Sequence, residues 1–175
     1  TDEIITEMDA ALQRVEESVM EEVSRQSYRV GIHEALKHLI VSGNSLLYLP
    51  EEGGLRVFHL DRFVVQRDPM GHPLKIITKE TLSYNTLSDE LKAAAGFNES
   101  DSAEKNCDLF TCVKLEGDNW FVHQEIKGNI VPGSEGRFTK NNLPYLPLRF
   151  SKIDGEDYGR GYVEEYMGDL ISLEK

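Results

Sequence analysis

Leu39-Ile40-Val41-Ser42-Gly43-Asn44-Ser45-Leu46-Leu47-Tyr48-Leu49-Pro50 is where the chain changes its period. Upstream, Tyr28, Ile32, Ala35, Leu36, Leu39 and Ile40 recur at helical steps of three and four. Gly43 and Asn44 suit a left-handed helix stop. From Ser45 the apolar residues come instead in short β-type runs. Working back, Ile4, Met8, Leu12, Val15, Val19 and Val23 form a first amphipathic helix. Ser24 to Ser27 interrupts it and supplies capping hydroxyls for the second.

Working forward, the runs Ser45–Leu49, Leu55–Leu60, Phe63–Gln66 and Leu74–Leu82 are separated by turn chemistry: Gly53-Gly54, Asp61-Arg62, and Asp68-Pro69 with Gly71. This predicts an antiparallel meander. Ser88 to Gly96 reads as a short helix, and polar Phe97 to Asn106 as a loop. Asp108–Leu115 and Trp120–Ile126 flank Glu116-Gly117-Asp118-Asn119 as a hairpin, with a further pairing near Asn129–Val131. Prolines extend Leu143 to Leu148, and Arg149 to Ile153 can continue as a strand at a sheet edge. After the turn at Asp154-Gly155, Gly159-Arg160-Gly161 gives the chain freedom before a last helix carrying Val163, Tyr166, Met167, Leu170, Ile171 and Leu173. That pattern is still running at Lys175, which predicts a piece of a larger assembly.

The predicted fold class is therefore α+β: two N-terminal amphipathic helices packed on a small antiparallel, barrel-like sheet, then the start of a long C-terminal helix. Three parts follow: 1–44 helical, 45–153 β-rich with a short helix near 88–96, and 154–175 as a junction with the helix start.

The 31 acidic and 19 basic residues give a net charge of −12. Thr1 to Gln26 holds eight acids against two bases, and Asp154 to Lys175 seven against two, so the middle is nearly neutral. A phosphate binder needs clustered Lys and Arg, and no such cluster appears. No apolar run approaches the ~18 residues of a membrane span, and no signal-peptide pattern opens the chain. Cys107 and Cys112 are too few for a disulfide scaffold, which predicts a reducing, intracellular origin.

Chemical motifs are sparse. His33-Glu34 and His38 resemble a zinc-protease helix, but histidines five apart do not share a helical face. Cys107, Cys112 and His123 lack an obvious fourth zinc ligand. There is no Gly-x-Ser-x-Gly elbow and no phosphate loop. Asp154, Glu156 and Asp157 have cation-binding chemistry without the twelve-residue loop spacing, so a solvated acidic turn is the plainer reading. No cofactor, metal site or catalytic residue is predicted. Trp120 and Phe121 are read as core or half-core residues. Tyr158-Gly159-Arg160-Gly161 is the most suggestive segment: either a hinge or ion-pair lock aiming the last helix, or a flexible loop with an exposed arginine.

Several runs in one order carry a resemblance. They are Ser27-Tyr28-Arg29-Val30, Glu34-Ala35-Leu36-Lys37, Gly43-Asn44 with Leu46-Leu47-Tyr48-Leu49-Pro50, and Val64-Val65-Gln66-Arg67-Asp68. Pro144-Tyr145 with Pro147 and Arg149, Asp154-Gly155-Glu156 with Tyr158-Gly159-Arg160, Glu164-Glu165-Tyr166, Gly168-Asp169-Leu170 and Ser172-Leu173-Glu174 continue it. The chain resembles the head-to-tail connector, or portal, proteins of short-tailed, podovirus-type bacteriophages, of which it would be about a third.

The resemblance implies a structural, non-enzymatic role in a ring at one capsid vertex of the virion, a dodecamer in the family. Its partners would be other copies of itself, capsid shell and scaffold proteins, and terminase and tail proteins through the full ring. Genome DNA would pass during packaging and ejection without sequence-specific binding, and no membrane would be involved. Assembly is expected in the bacterial host cytoplasm. This segment would be the peripheral wing with the first turns of the stem helix. The junction is expected at Tyr158, Gly159, Arg160 and Gly161, with Glu164, Glu165 or Asp169 as partners of Arg160. The alternatives are a stand-alone protein-binding module, or a metal-dependent hydrolase using Asp154, Glu156 and Asp157, with a histidine as a further candidate.

Overall fold

The computed structural model describes residues 2–26, 28–96 and 106–174, with side chains from residue 6 onward. Helices α1 (Asp2–Arg25) and α2 (Tyr28–Ser42) lead into strand β1 (Asn44–Tyr48). Strands β2 (Arg56–Phe58), β3 (Phe63–Arg67) and β4 (Pro73–Ser83) form the meander, followed by α3 (Asp89–Ala94). Then come β5 (Asn106–Glu116), β6 (Asn119–Ile126), β7 (Asn129–Ile130), β8 (Gly136–Thr139) and β9 (Tyr145–Arg149). Two short helices close the described chain, α4 (Tyr162–Glu165) and α5 (Met167–Leu173). No helix of the described residues is long and apolar enough to cross a membrane.

The period change at Gly43 is a real boundary. Gly43 N–H closes the last turn of α2 on the Leu39 carbonyl at 3.0 Å, and its φ of +73° is the left-handed stop. Gly117, at φ +61°, makes the tight β5–β6 turn. Ser88 Oγ caps α3 by accepting from the Leu91 N–H.

Among the described residues the strands form two antiparallel sheets and no closed barrel. The small sheet has the order β2-β1-β9; the larger runs β3-β4-β5-β6-β7, with β8 beside β7 on the outer edge of β6. The barrel-like expectation is corrected by β1–β9: residues 44–48 pair with residues 145–149, a long-range closure that draws the small sheet together separately. That strand occupies the extended proline stretch and stops at Arg149; of the continuation expected to Ile153, only the isolated bridge of Ser151 to Arg160 forms. Pro147 is tolerated because β9 is an edge.

The layers are α2, then the small sheet, then the large sheet. Alternation along β1 sends Leu46 and Tyr48 toward the large sheet, where they meet Phe63, Val65, Ile76, Val113 and Trp120. Leu46, Ile76 and Val113 have no exposed surface. Each fully buried side chain of this size contributes about 1.5–3 kcal/mol. A second cluster joins Leu87 and Ala95 around α3 to Leu109, Ile126 and Val131. Packing on the small sheet is carried by α2, through buried Gly31 and Ala35. The apolar stripe of α1 is uncovered: Met8, Leu12, Val15 and Val19 are all more than half exposed.

Three further expectations shift. Ser24 lies inside α1 rather than capping α2, while Ser27 and residues 97–105 of the predicted loop lie outside the described residues. Phe121 points outward from the sheet, whereas Trp120 is buried. The closing helix is broken at Tyr166, whose φ of −109° and ψ of 16° leave the helical region.

Candidate functional site: the α2–β1 joint with the closing helix

Three glycines bring backbone against backbone where α2 ends. A Cβ on Gly43 would collide with the Arg160 carbonyl carbon and the Gly161 nitrogen. One on Gly159 would lie 2.9 Å from Arg149 Cβ as well as overlapping the Ser151 carbonyl, and one on Gly161 would lie 2.6 Å from Gly43 N. Gly159 and Gly161 are buried and have no positive φ, so their role is close approach rather than freedom to turn.

Asn44 fastens this contact. Its amide Nδ2 donates to the Gly159 carbonyl at 2.7 Å and to the Ser42 carbonyl at 2.9 Å, while Oδ1 accepts from the Gly159 N–H at 2.8 Å. Asn44 is 3% exposed. One side chain thus reads both polar groups of a residue 115 positions away, as a neighbouring strand would. Phe150 N–H donates to the Gly43 carbonyl at 2.9 Å, and Ser151 Oγ donates to the Arg160 carbonyl at 2.9 Å.

Of the predicted junction residues, Tyr158 packs on the main core, and its hydroxyl oxygen accepts from the Val65 N–H at 3.2 Å. Arg160 is about half exposed and faces Glu156 at 3.4 Å and Glu164 at 3.6 Å. Glu165 instead receives Ser151 Oγ at 3.1 Å. Asp169 lies on exposed α5, and Arg160 is not brought to it.

Sequence reasoning missed a second clamp. Arg67 donates through Nε to the Asp157 carbonyl (2.9 Å), through Nη1 to Gly71 (3.0 Å) and through Nη2 to Pro147 (3.0 Å). The Asp157 carboxylate accepts from the Arg67 N–H at 2.7 Å. Burial, then the neighbouring Arg149 guanidinium, lowers the pKa of Arg67. Arg149 reaches the Glu156 carbonyl at 3.0 Å, and Lys152 the Met70 carbonyl at 2.8 Å. The acidic turn considered as a cation site is thus a receiver of hydrogen bonds from Arg67 and Arg149. The signal for Asn44, Arg67 and Arg149 lay in the runs that carried the resemblance, not in their spacing.

The other candidate groups stay apart. Cys107 and Cys112, an odd number apart on β5, face opposite sides of the sheet; Cys112 stands opposite His123. His123 contacts Glu125 at 2.9 Å. His38 sits edge-on to His59 at 4.8 Å, while His33 is exposed. Among the described residues no three His, Cys, Asp or Glu side chains converge as a metal site.

The polar groups of this joint are spent on holding chain segments at fixed positions, which is a structural use of them. The chain belongs to the family described as bacteriophage head to tail connecting protein, whose profile matches residues 1–175. It is 39% identical over 178 residues to the portal protein of Escherichia phage T7 and 38% over 180 to that of Enterobacteria phage T3. The portal protein of Pseudomonas phage phiKMV is 33% identical over 177 residues. Each match covers 97% of this chain, but the chain spans only about a third of the length of these curated relatives, 33% for the first.

Proposed function

We propose that this chain is the wing segment of a phage portal ring, with α4 and α5 as the start of the stem and Tyr158–Gly161 as the wing-to-stem junction. The observation that carries this is the double hydrogen bond of Asn44 to Gly159, which fixes the closing helices to the α2–β1 corner. Arg160, between Glu156 and Glu164, trims the approach; Glu165 contributes through Ser151. Asp169 is left to contacts along the stem.

In the full-length protein the ring, a dodecamer by family expectation, stands at a capsid vertex of the virion after assembly in the host cytoplasm. Shell and scaffold proteins meet its periphery, and terminase and tail proteins its ends. Genome DNA passes through during packaging and ejection without sequence-specific binding, and the chain's own work is geometric rather than catalytic. The acidic excess of α1 disfavours adhesion of DNA. Sedimentation velocity of the full-length protein tests the reading: wild type should run as a closed ring, and Asn44→Ala should lose most of it. Rings of Asn44→Ala as abundant and as heat-resistant as wild type would overturn the junction. Unchanged duplex affinity of the ring after replacing Glu17 and Glu21 by glutamine would remove the role given to the acids.

A further inference from the structure

Two surfaces of this chain are exposed and complementary. The first is the stripe of α1, where Met8, Leu12, Val15 and Val19 are 59%, 63%, 60% and 54% exposed. At 100° per residue the carboxylates of Asp9 and Glu16 border that stripe on one side, while Glu17 and Glu21 lie on the opposite face.

The second is the outer face of the large sheet, turned away from the core. Register places Val64, Ile77 and Cys112 side by side across β3, β4 and β5, an apolar row in the middle of that face. Val64 is 53% and Phe110 37% exposed, and they line a cavity of about 200 Å³ with Ile77 and Lys79. The next row along the strands is cationic: Lys75, Lys114 and Arg137 lie in register across β4, β5 and β8, with Phe121 between the last two. Lys114 also pairs with Glu116 of its own strand at 2.8 Å, so Lys75 and Arg137, which pair with no carboxylate among the described residues, offer the charge. Arg137 lies over the Phe121 ring at 5.7 Å. The carboxylates on this face, Asp108, Glu116 and Glu125, are taken up by Lys79, Lys114 and His123, while α1 holds much of the acidic excess of a chain of net charge −12.

We infer that α1 of one copy docks on the outer sheet face of the next, its apolar stripe on the Val64–Ile77–Cys112 row and its bordering carboxylates toward the lysine–arginine row. A helix this amphipathic needs a cover, since helical stability comes mostly from a buried apolar face. The layer order places α2, with α1 leading into it, and this sheet face on opposite sides of the body. Contact between unlike surfaces is head-to-tail and repeats, closing into a ring when the rotation allows. Glu17 and Glu21 stay outward and remain free for the electrostatic role given to them above. The inference rests on the proposed ring and names the surfaces that join its subunits.

The test is cross-linking in the full-length protein carrying Cys112→Ser, so that no native thiol stands on the docking face. Val15→Cys and Val64→Cys are added together and treated with a short bis-maleimide; Cys107 is buried. The expected result is a ladder of covalent multimers on a denaturing gel, with neither single variant giving more than a trace. Further addition of Lys75→Glu and Lys114→Glu should reduce the ladder several-fold, and Glu16→Lys should restore part of it. Rings that sediment normally but give no ladder overturn the docking while leaving the ring intact. A cross-linked species of monomer mass, α1 folded on its own sheet, overturns it as well. A full-length protein that never sediments above monomer overturns the ring reading itself.

Discussion

Replacing Asn44 by alanine removes three hydrogen bonds of 2.7, 2.8 and 2.9 Å from a site that is 3% exposed. The loss exceeds that of three ordinary bonds, because Gly159 is buried and its N–H and carbonyl are left facing a methyl group. An unsatisfied buried polar group costs about 1–3 kcal/mol, so the two together imply roughly 2–6 kcal/mol. For a chain of this size that corresponds to a fall in melting temperature of roughly 4–24 °C. Asn44→Asp separates hydrogen bonding from packing. It keeps the shape and an acceptor for the Gly159 N–H, but turns an oxygen toward the carbonyls of Gly159 and Ser42 and buries a charge. Aspartate should therefore be at least as damaging as alanine at neutral pH. The assay is urea denaturation followed by circular dichroism, paired with hydrogen exchange at Gly159, whose amide should lose protection in both variants. A midpoint within about 0.5 kcal/mol of wild type for Asn44→Ala would refute the reasoning.

Other outcomes follow from the same geometry. Gly43→Ala should cost more than about 4 kcal/mol or give no folded protein, since its Cβ has no room. Gly117→Ala, with a similar φ but open space, should cost only about 1–2 kcal/mol in the same unfolding assay. Arg160→Ala should cost less than about 1 kcal/mol, its ion pairs being half exposed, whereas Arg67→Ala should cost about 2 kcal/mol or more by losing three carbonyl partners. The hydrogen bond from Lys79, then that from Thr81, holds the Asp108 carboxyl below its ordinary range. That contribution is present above the unfolded carboxylate pKa of about 3.9 and is lost as pH falls through the lower folded value. Lys79→Met should therefore flatten the acid limb of stability below about pH 5, read from urea midpoints.

What could be read from residues alone was local. The Gly43 stop, the β5–β6 turn at Gly117 and the β4 run after the turn at Gly71 each announce themselves within a few positions. Helix α3 is equally legible, from Ser88 at its cap to Gly96 just beyond its end. The small sheet was not legible, because Tyr145–Arg149 finds β1 across about a hundred residues and its prolines disguise a strand. Gly136–Thr139 was missed as a strand for a related reason: four residues with one apolar position carry no period. At the joint, glycine was read for its freedom, as its chemistry suggests. Packing uses it for its lack of a side chain, and only the approach of Arg160 and Gly161 to Gly43 distinguishes the two. Asn44 looked like part of a helix stop, and its real partner lies far along the chain.

The meeting of Gly43, Gly159 and Gly161 has an evolutionary cost. A joint lined by side chains can be retuned one methyl group at a time, each step altering the angle slightly. Here the surfaces are peptide groups, identical in every protein, and no substitution can shave or pad them gradually. A lineage that needs a different pitch between body and closing helix must obtain it elsewhere, in segments such as the break at Tyr166 that still have side chains to exchange. Variation among relatives should therefore accumulate around that break and leave the three glycines untouched, and aligning many connectors by position would show whether it does.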